Sequence, residues 1–202
     1  MTKDNILKVA TKEFSIYGYD AVSMNKLASK LEVNKATIYY HFKDKKSLYQ
    51  EILQSLIQLN QEKNEAIANS DIPAEEKFRQ YIKLFIHTIK DNPEIVPIAL
   101  REMANLGGNL EDSISSYLEK EMLYLKNIVL QLNLKEKYKH LDFYELKGLI
   151  MGTINTYYSM QMSNIKATGL KDLDKNSDKI LDYLCEFITS LLLDALCEDN
   201  NN

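Results

Sequence analysis

Apolar residues recur at helical spacing along most of the chain, and polar or glycine-containing breaks separate the runs. The first run covers about residues 4–17, and we expect Gly18 to end it with a positive φ. The other runs cover about residues 24–31, 35–42, 44–69, 75–91, 93–106, 110–132, 142–167 and 176–196. The pattern therefore predicts an all-α protein of about nine helices.

Two short helices joined by a tight turn are predicted between residues 23 and 45. Ser23 and Asn34 stand where N-terminal capping residues belong. In the second of these helices Ile38 and Phe42 are four residues apart and face the core. Its solvent face then presents Lys35, Thr37 and Tyr39, with Tyr40 and His41 at the rim. Side chains of these types on a short exposed helix are suited to phosphates and base edges.

The run from Asp44 to Asn69 predicts one continuous helix, with Asp44 as its capping residue. It begins beside the two short helices and ends well inside the remainder of the chain. We therefore expect it to link the two parts mechanically. The last two predicted helices, about 142–167 and 176–196, have apolar arcs wider than one core face requires. The surplus predicts burial against a second copy of the chain.

Charge is distributed unevenly along the sequence. Residues 1–50 hold nine Lys and five Asp or Glu, a balance of +4, so the remainder holds 25 − 9 = 16 basic and 29 − 5 = 24 acidic residues, a balance of −8. A basic N-terminal part on an acidic remainder indicates a partner such as DNA. The N-terminus does not resemble a leader peptide, no apolar run reaches the length of a membrane span, and both cysteines fall in the last predicted helix. We expect a cytoplasmic protein without membrane contact.

The run from Val33 to Lys45, VNKATIYYHFKDK, resembles the recognition-helix signature of TetR-family transcriptional regulators. The upstream phrase from Phe14 to Met24 is similar to the opening of the same family domain. One departure is Glu32, which replaces the usual Gly at a turn position that tends toward positive φ. The resemblance implies a helix-turn-helix DNA-binding domain at residues 1–47 and a helical ligand-binding and dimerisation domain at residues 48–202.

The DNA-contacting residues that we expect lie in and around the two short helices. Tyr39 can donate a hydrogen bond to a phosphate, and Lys45 can place its ammonium and backbone N–H near one. By resemblance, Lys35 and Thr37 contact bases or phosphates, and weaker candidates are Ser23, Asn25, Ala36, Tyr40 and His41.

The resemblance also implies an effector site in the second domain. Inward-facing candidates, each of which fits a plain core role better than a ligand contact when taken alone, are Tyr81, Phe85, His87, Met103, Tyr124, Asn155, Tyr158 and Met162. Few charged residues are predicted on this face, which favours a small hydrophobic or aromatic effector. No cofactor or metal is implied.

The leading hypothesis is a ligand-responsive repressor that binds a palindromic DNA operator as a homodimer through the last two helices. An alternative keeps DNA binding but is controlled by a protein partner or acts as an activator. An enzyme is disfavoured because paired carboxylates, a nucleophile with a base and a phosphate-binding loop are missing from the sequence. A purely structural helical bundle is disfavoured by the charge distribution. The effector, the operator and the regulated genes cannot be named from the sequence.

Overall fold

The computed structural model describes residues 1–162 and 178–198, and these residues form α-helices joined by short connections. The helices are α1 (Lys3–Ala21), α2 (Met24–Lys30), α3 (Lys35–His41), α4 (Lys45–Gln58), α5 (Gln61–Asn69), α6 (Ala74–Asp91), α7 (Ile95–Ala104), α8 (Asp112–Val129), α9 (Phe143–Met162) and α10 (Asp178–Leu196). A 3₁₀ turn lies at Glu136–Tyr138, and Leu134 and Cys197 form an isolated antiparallel bridge. The predicted all-α class is confirmed.

The run that was predicted as one helix from Asp44 to Asn69 is two helices, α4 and α5. The break falls at Asn60, whose side-chain oxygen lies 2.7 Å from the Thr88 hydroxyl. The Thr88 partner lies on α6, 28 residues away, and asparagine is a weak helix former, so the helix breaks here without Gly or Pro. The prediction of a continuous helical link is therefore wrong. Among the described residues, the split raises the number of α-helices to ten, where about nine were predicted.

The chain groups into two compact units, and each unit is built from two separate stretches of the sequence. The first unit contains residues 1–59 and 92–117, and the second contains residues 60–91 together with the chain from residue 118 onward. Helix α7 thus belongs with α1–α4, and α8 begins in the first unit and ends in the second. The predicted domain boundary after residue 47, which separates a DNA-binding domain from a ligand-binding domain, stays a prediction.

The first unit has a core built from one face of each helix. Fully buried side chains at its centre include Ile6, Phe14, Leu27, Ile38 and Leu48. Ile98 of α7 and Ile114 of α8 belong to the same apolar cluster. At its edge, the buried carboxylate of Glu13 in α1 forms a 2.6 Å ion pair with Lys30, which ties α1 to the end of α2.

The second unit is organised around the packing of α6 against α10. Helix α6 buries Phe78, Ile82, Ile86 and Ile89, which repeat at helical spacing. Ion pairs join the polar edges of the two helices, as between Lys83 and Asp182 at 2.9 Å. Within the described ranges, none of the helices is both long and apolar enough to cross a membrane.

Candidate nucleic-acid interface and the interior of the second unit

The short helices of the first unit begin at side-chain caps. The Ser23 hydroxyl accepts a hydrogen bond from the backbone N–H of Lys26 at 3.2 Å, and the Asn34 side chain accepts one from Ala36 at 2.9 Å. At the start of α4, Asp44 and Ser47 exchange hydrogen bonds between side chain and backbone in both directions. All three predicted caps are confirmed. Together they fix where α2, α3 and α4 start.

The turn between α2 and α3 holds Glu32 at a φ of 55°. A side chain in this left-handed region costs about 1 kcal/mol relative to glycine. The neighbouring Val33 N–H donates to the Ala28 carbonyl at 3.0 Å, so the turn keeps its hydrogen bonding. The predicted positive φ at Glu32 is confirmed, and the turn tolerates the departure from glycine.

Helix α3 buries its apolar residues and presents its polar residues to solvent. Ile38 and Phe42 are buried, whereas Tyr39 is 43% and Tyr40 is 84% exposed. The Lys35 ammonium lies 5.2 Å from the centre of the Tyr39 ring, which brings a cation and a phenol together on the exposed face. The remaining predicted positions on α3 are exposed at Ala36 and half-buried at Thr37 and His41.

The two weaker candidates at the start of α2 are both exposed. Asn25 points its side chain to solvent, whereas the Ser23 hydroxyl oxygen already accepts the capping bond from Lys26. The structure thus places the nine candidate DNA contacts on α2, on α3 and at the start of α4. Whether each of them touches DNA stays a prediction.

Lys45 occupies the first position of α4, but its ammonium turns inward. It donates hydrogen bonds to the backbone carbonyls of Tyr19 at 2.9 Å and Val22 at 3.0 Å. It also lies 4.2 Å from the centre of the Tyr19 ring. This ammonium therefore joins the end of α1 to the start of α4. Of the two phosphate-binding groups predicted at Lys45, the ammonium is already engaged within the chain.

The sequence did not predict the α7 brace, a set of hydrogen bonds from α7 to the end of α1. The Arg101 guanidinium donates to the backbone carbonyls of Phe14 at 3.3 Å, Ser15 and Ile16 at 2.9 Å. These carbonyls lie just before Gly18, where a φ of 79° and a ψ of 169° kink α1. The kink interrupts the helical hydrogen bonding and leaves acceptors for an outside donor. The positive φ at Gly18 is confirmed, although the helix resumes as far as Ala21.

A second missed group connects α7 to α4. The buried Tyr49 hydroxyl donates to the Glu102 carboxylate at 2.6 Å, and the Asn109 amide donates to the same oxygen at 3.0 Å. Burial, followed by the bond to Glu102, raises the pKa of Tyr49 far above its usual range. The partners are separated by 53 residues, so no local pattern could reveal the pair.

The predicted effector residues occupy different environments. Tyr81, Asn155 and Tyr158 are buried in the second unit, and Phe85, His87 and Tyr124 are half-buried there. Met103 contradicts the prediction of an inward side chain, because it is 61% exposed and lies on α7 of the first unit. It lies near the C-terminal end of α7, and only Val96, Ile98 and Glu102 of this helix are buried. The side chain of Met162 lies outside the described residues.

The expectation of few charges inside the second unit is also wrong. Lys77 is buried and donates to the Ala68 carbonyl at 3.3 Å and to Gln131 at 2.7 Å. Glu121 and Lys147 are partly buried and attract each other. Burial raises the pKa of Glu121 and lowers the pKa of Lys147.

Comparison with known protein families gives a match in the N-terminal part of the chain. Residues 6–52 match the family model described as "Bacterial regulatory proteins, tetR family". The chain is 32% identical over 130 residues to the uncharacterized HTH-type transcriptional regulator YhgD of Bacillus subtilis, which covers 59% of this chain and 66% of that protein. It is 29% identical over 136 residues to IcaR of Staphylococcus aureus, a negative transcriptional regulator of the biofilm operon icaADBC, with 59% and 67% covered. The matches thus span about two thirds of these relatives.

Solved structures share the fold over nearly the whole chain. The ketosteroid transcriptional regulator KstR2 of Mycobacterium tuberculosis superposes with a TM-score of 0.74 at 14% identity, covering 97% of this chain and 95% of that one. FadR of Bacillus subtilis, solved in complex with stearoyl-CoA, gives a TM-score of 0.68 at 19% identity, with 96% and 99% covered. At these identities the likeness concerns the fold alone.

Proposed function

Because the chain belongs to the tetR family of bacterial regulatory proteins, we propose that it is a transcriptional repressor that binds a palindromic operator as a homodimer and is released by a small apolar effector. The observation that carries this proposal is the exposed face of α3, which presents Lys35, Tyr39 and Tyr40 to solvent. Side-chain caps fix the start of α3 and the start of the following helix, α4. Repression is favoured over activation by the likeness to IcaR, which is named a negative regulator.

The DNA contact has two parts, one electrostatic and one specific. The balance of +4 in residues 1–50 attracts the phosphate backbone, and this attraction weakens as salt concentration rises. Lys35 and Thr37 lie in the N-terminal half of α3, the end of a recognition helix that reaches base edges, and Tyr39 follows two residues after Thr37. His41 and Tyr40 pack edge to face at 5.0 Å and would meet the backbone at the other end.

The homodimer is supported by uncovered apolar side chains on α9 and α10. On α10, Tyr183, Phe187 and Leu191 repeat every four residues and are 70%, 54% and 59% exposed. On α9, Leu149 is 63% exposed, and the neighbouring Gly148 has open space where a Cβ would stand. A second copy related by two-fold symmetry would cover both stripes, and the same symmetry requires a palindromic operator.

The release step uses the α7 brace in place of the continuous helix that the sequence predicted. Helix α7 holds the end of α1 through Arg101 and holds α4 through Glu102. It also follows directly on α6 of the second unit through residues 92–94. An effector that displaces α7 would therefore disturb the helices that orient α3. The coupling energy required is about 1–3 kcal/mol.

Fluorescence anisotropy of a labelled duplex from the DNA upstream of the chain's own gene tests the proposal. We expect binding that is specific against a scrambled duplex and that weakens steeply with salt. Lys35→Ala should reduce affinity, whereas Lys63→Ala removes the same charge from an exposed site on α5 and should not. Equal binding to both duplexes would refute the proposed DNA recognition. An apolar compound that tightens the complex would identify a co-repressor mechanism.

A further inference from the structure

Asn155 of α9 is the most deeply buried unpaired amide among the described residues. It is 1% exposed, and neither the nitrogen nor the oxygen of its side chain has a hydrogen-bond partner. Buried polar groups in native proteins are almost always paired, because an unpaired one loses its bonds to water without replacement. An amide that offers both a free donor and a free acceptor fits a group that can accept and donate at the same time.

A second set of unsatisfied groups lies on α5 and α8 of the same unit. The Asn64 amide donates a hydrogen bond to one oxygen of Glu121 at 2.8 Å. The other Glu121 oxygen and the side-chain oxygen of Asn64 are buried and have no hydrogen-bond partner among the described residues. Lys147 supplies the opposite charge to Glu121. Because Lys147 and Asn155 are eight residues apart on α9, the two polar points are about 12 Å apart along the helix axis.

The charges of these groups restrict the chemistry of a ligand. Asn155 is neutral and cannot compensate a buried ion, so a charged head group placed there would remain unpaired. Glu121 and Lys147 already balance each other, so an added anion or cation at that end would upset a neutral pair. Elsewhere in the same unit, Tyr81, Leu125 and Ile128 are buried and largely apolar. Both polar points therefore favour an uncharged molecule.

We propose that the interior of the second unit binds an uncharged amphipathic molecule whose hydroxyl or amide group hydrogen-bonds to the side chain of Asn155. This proposal rests on the proposed function, because it specifies the effector class of the same regulator. It narrows that class from hydrophobic compounds in general to neutral alcohols and amides with an apolar skeleton. Carboxylates and amines of the same length are excluded by the cost of burying their charge.

The test compares four ten-carbon probes by isothermal titration calorimetry: 1-decanol, decanamide, decanoate and decylammonium. We expect the alcohol or the amide to bind the full-length protein at least tenfold more tightly than either ion. Asn155→Leu, which removes the amide at similar volume, should cost about tenfold for the neutral probes. Thr189→Val is the matched control, because Thr189 is fully buried but its hydroxyl is already bonded to the Cys185 carbonyl at 2.7 Å. This variant should bind the probes normally.

Thermal unfolding without a probe supplies a readout that a structural role would move. Since Asn155 has no partner to lose, Asn155→Leu should keep or raise the melting temperature. A fall of several degrees would mean that the amide is bonded in solution, and the proposal would be wrong. Tighter binding of decanoate, or unchanged probe affinity in Asn155→Leu, would also overturn it.

A charge-changing variant gives an independent check. Glu121→Gln leaves Lys147 without its opposite charge, so decanoate should gain affinity relative to 1-decanol; an unchanged preference would count against the proposal. The calorimetry contains no DNA, so its outcome is separate from that of the operator titration. If the protein failed to bind DNA, the proposed repressor function would be refuted and the proposed ligand site would not be affected. If none of the four probes bound, the ligand site would be refuted and the repressor function would not be affected.

Discussion

The hydroxyl group of Tyr49 lies 2.6 Å from a carboxylate oxygen of Glu102, and both side chains are buried. This bond joins α4, which follows α3, to α7. The other Glu102 oxygen has no hydrogen-bond partner among the described residues, so the carboxylate depends on Tyr49 and Asn109 for its stabilisation. A buried carboxylate with so few donors makes each donor important.

Tyr49→Phe should therefore destabilise the protein by about 1–3 kcal/mol, because it removes a donor from a buried charged acceptor. Urea unfolding followed by circular dichroism measures the change. Tyr40→Phe is the control, since the Tyr40 side chain is 84% exposed. Adding Glu102→Gln to the Tyr49→Phe variant should restore part of the lost stability, because it removes the charge that needs the Tyr49 hydrogen bond. If the double variant regained none of it, the Glu102 carboxylate would not be the group that depends on Tyr49.

Any side chain at position 18 should destabilise the protein. At a φ of 79° and a ψ of 169° Gly18 occupies a region that is essentially restricted to glycine, and Gly18→Ala should cost about 1–3 kcal/mol. An added Cβ would lie 3.4 Å from Arg101 Cδ, which is ordinary contact. The cost should therefore persist in an Arg101→Met background, as measured by a double-mutant cycle in thermal unfolding. If the cost disappeared there, contact with Arg101, and not the backbone, would be its cause.

The first unit could largely be predicted because its signals are local. Ser23, Asn34 and Asp44 each begin a helix at the predicted position, and the unusual φ of Glu32 follows from its place in the turn. Capping and turn chemistry act over two to four residues, so they are visible in sequence. The break at Asn60 was missed because neither Gly nor Pro marks it and the hydrogen-bond partner of Asn60, Thr88, lies on another helix.

The contacts that hold the first unit together could not be predicted, because their partners are remote in sequence. Arg101 reaches carbonyls of α1 from 85 to 87 residues away. Backbone carbonyls carry no residue identity, so no sequence pattern marks them as partners. The same reason explains Lys45, whose family resemblance indicated phosphate while its ammonium bonds the carbonyls of Tyr19 and Val22.

The proposed dimer depends on the exposed stripe of α10. Leu191→Asp places a charge among Tyr183 and Phe187, whose rings stack at 6.2 Å on the same face, and should produce monomers near the chain mass of 23.4 kDa. The unmodified chain should sediment at about twice that mass at micromolar concentration. Leu118→Asp on α8, where the side chain is 41% exposed, is the control and should remain dimeric. A monomeric unmodified chain would rule out the interface.

Stability should depend on pH through Glu121. Burial raises its pKa above the usual 4.5, although Lys147 and the bond from Asn64 oppose the shift. The folded state then holds its proton more tightly than the unfolded state, so the contribution of Glu121 is present at low pH. It is lost as pH rises from about 4.5 through the raised pKa.

The free energy of unfolding of the unmodified protein should accordingly fall relative to Glu121→Gln as pH rises from 4 to 8. Urea titrations at unit intervals of pH measure the difference. Glu62→Gln removes the same charge from an exposed site on α5 and corrects for the general change in net charge. A difference that grew in favour of the unmodified protein over this range would have the wrong sign for a raised pKa.

The two lysines of the DNA-binding region should differ in how their loss changes the salt dependence of operator binding. The Lys35 ammonium is on the exposed face of α3, whereas the Lys45 ammonium is bonded to two carbonyls within the chain. A lysine that neutralises a phosphate contributes about 0.9 to the slope of log affinity against log salt. Lys35→Ala should lower that slope by about one.

Lys45→Met should leave the slope unchanged, because the backbone N–H at the start of α4 remains available to a phosphate. The variant should weaken DNA binding only as far as it destabilises the first unit. Anisotropy titrations at four salt concentrations, with Lys63→Ala as the control for charge alone, separate these outcomes. A slope reduced by one in Lys45→Met would show that its ammonium leaves the carbonyls of Tyr19 and Val22 and binds a phosphate when DNA is present.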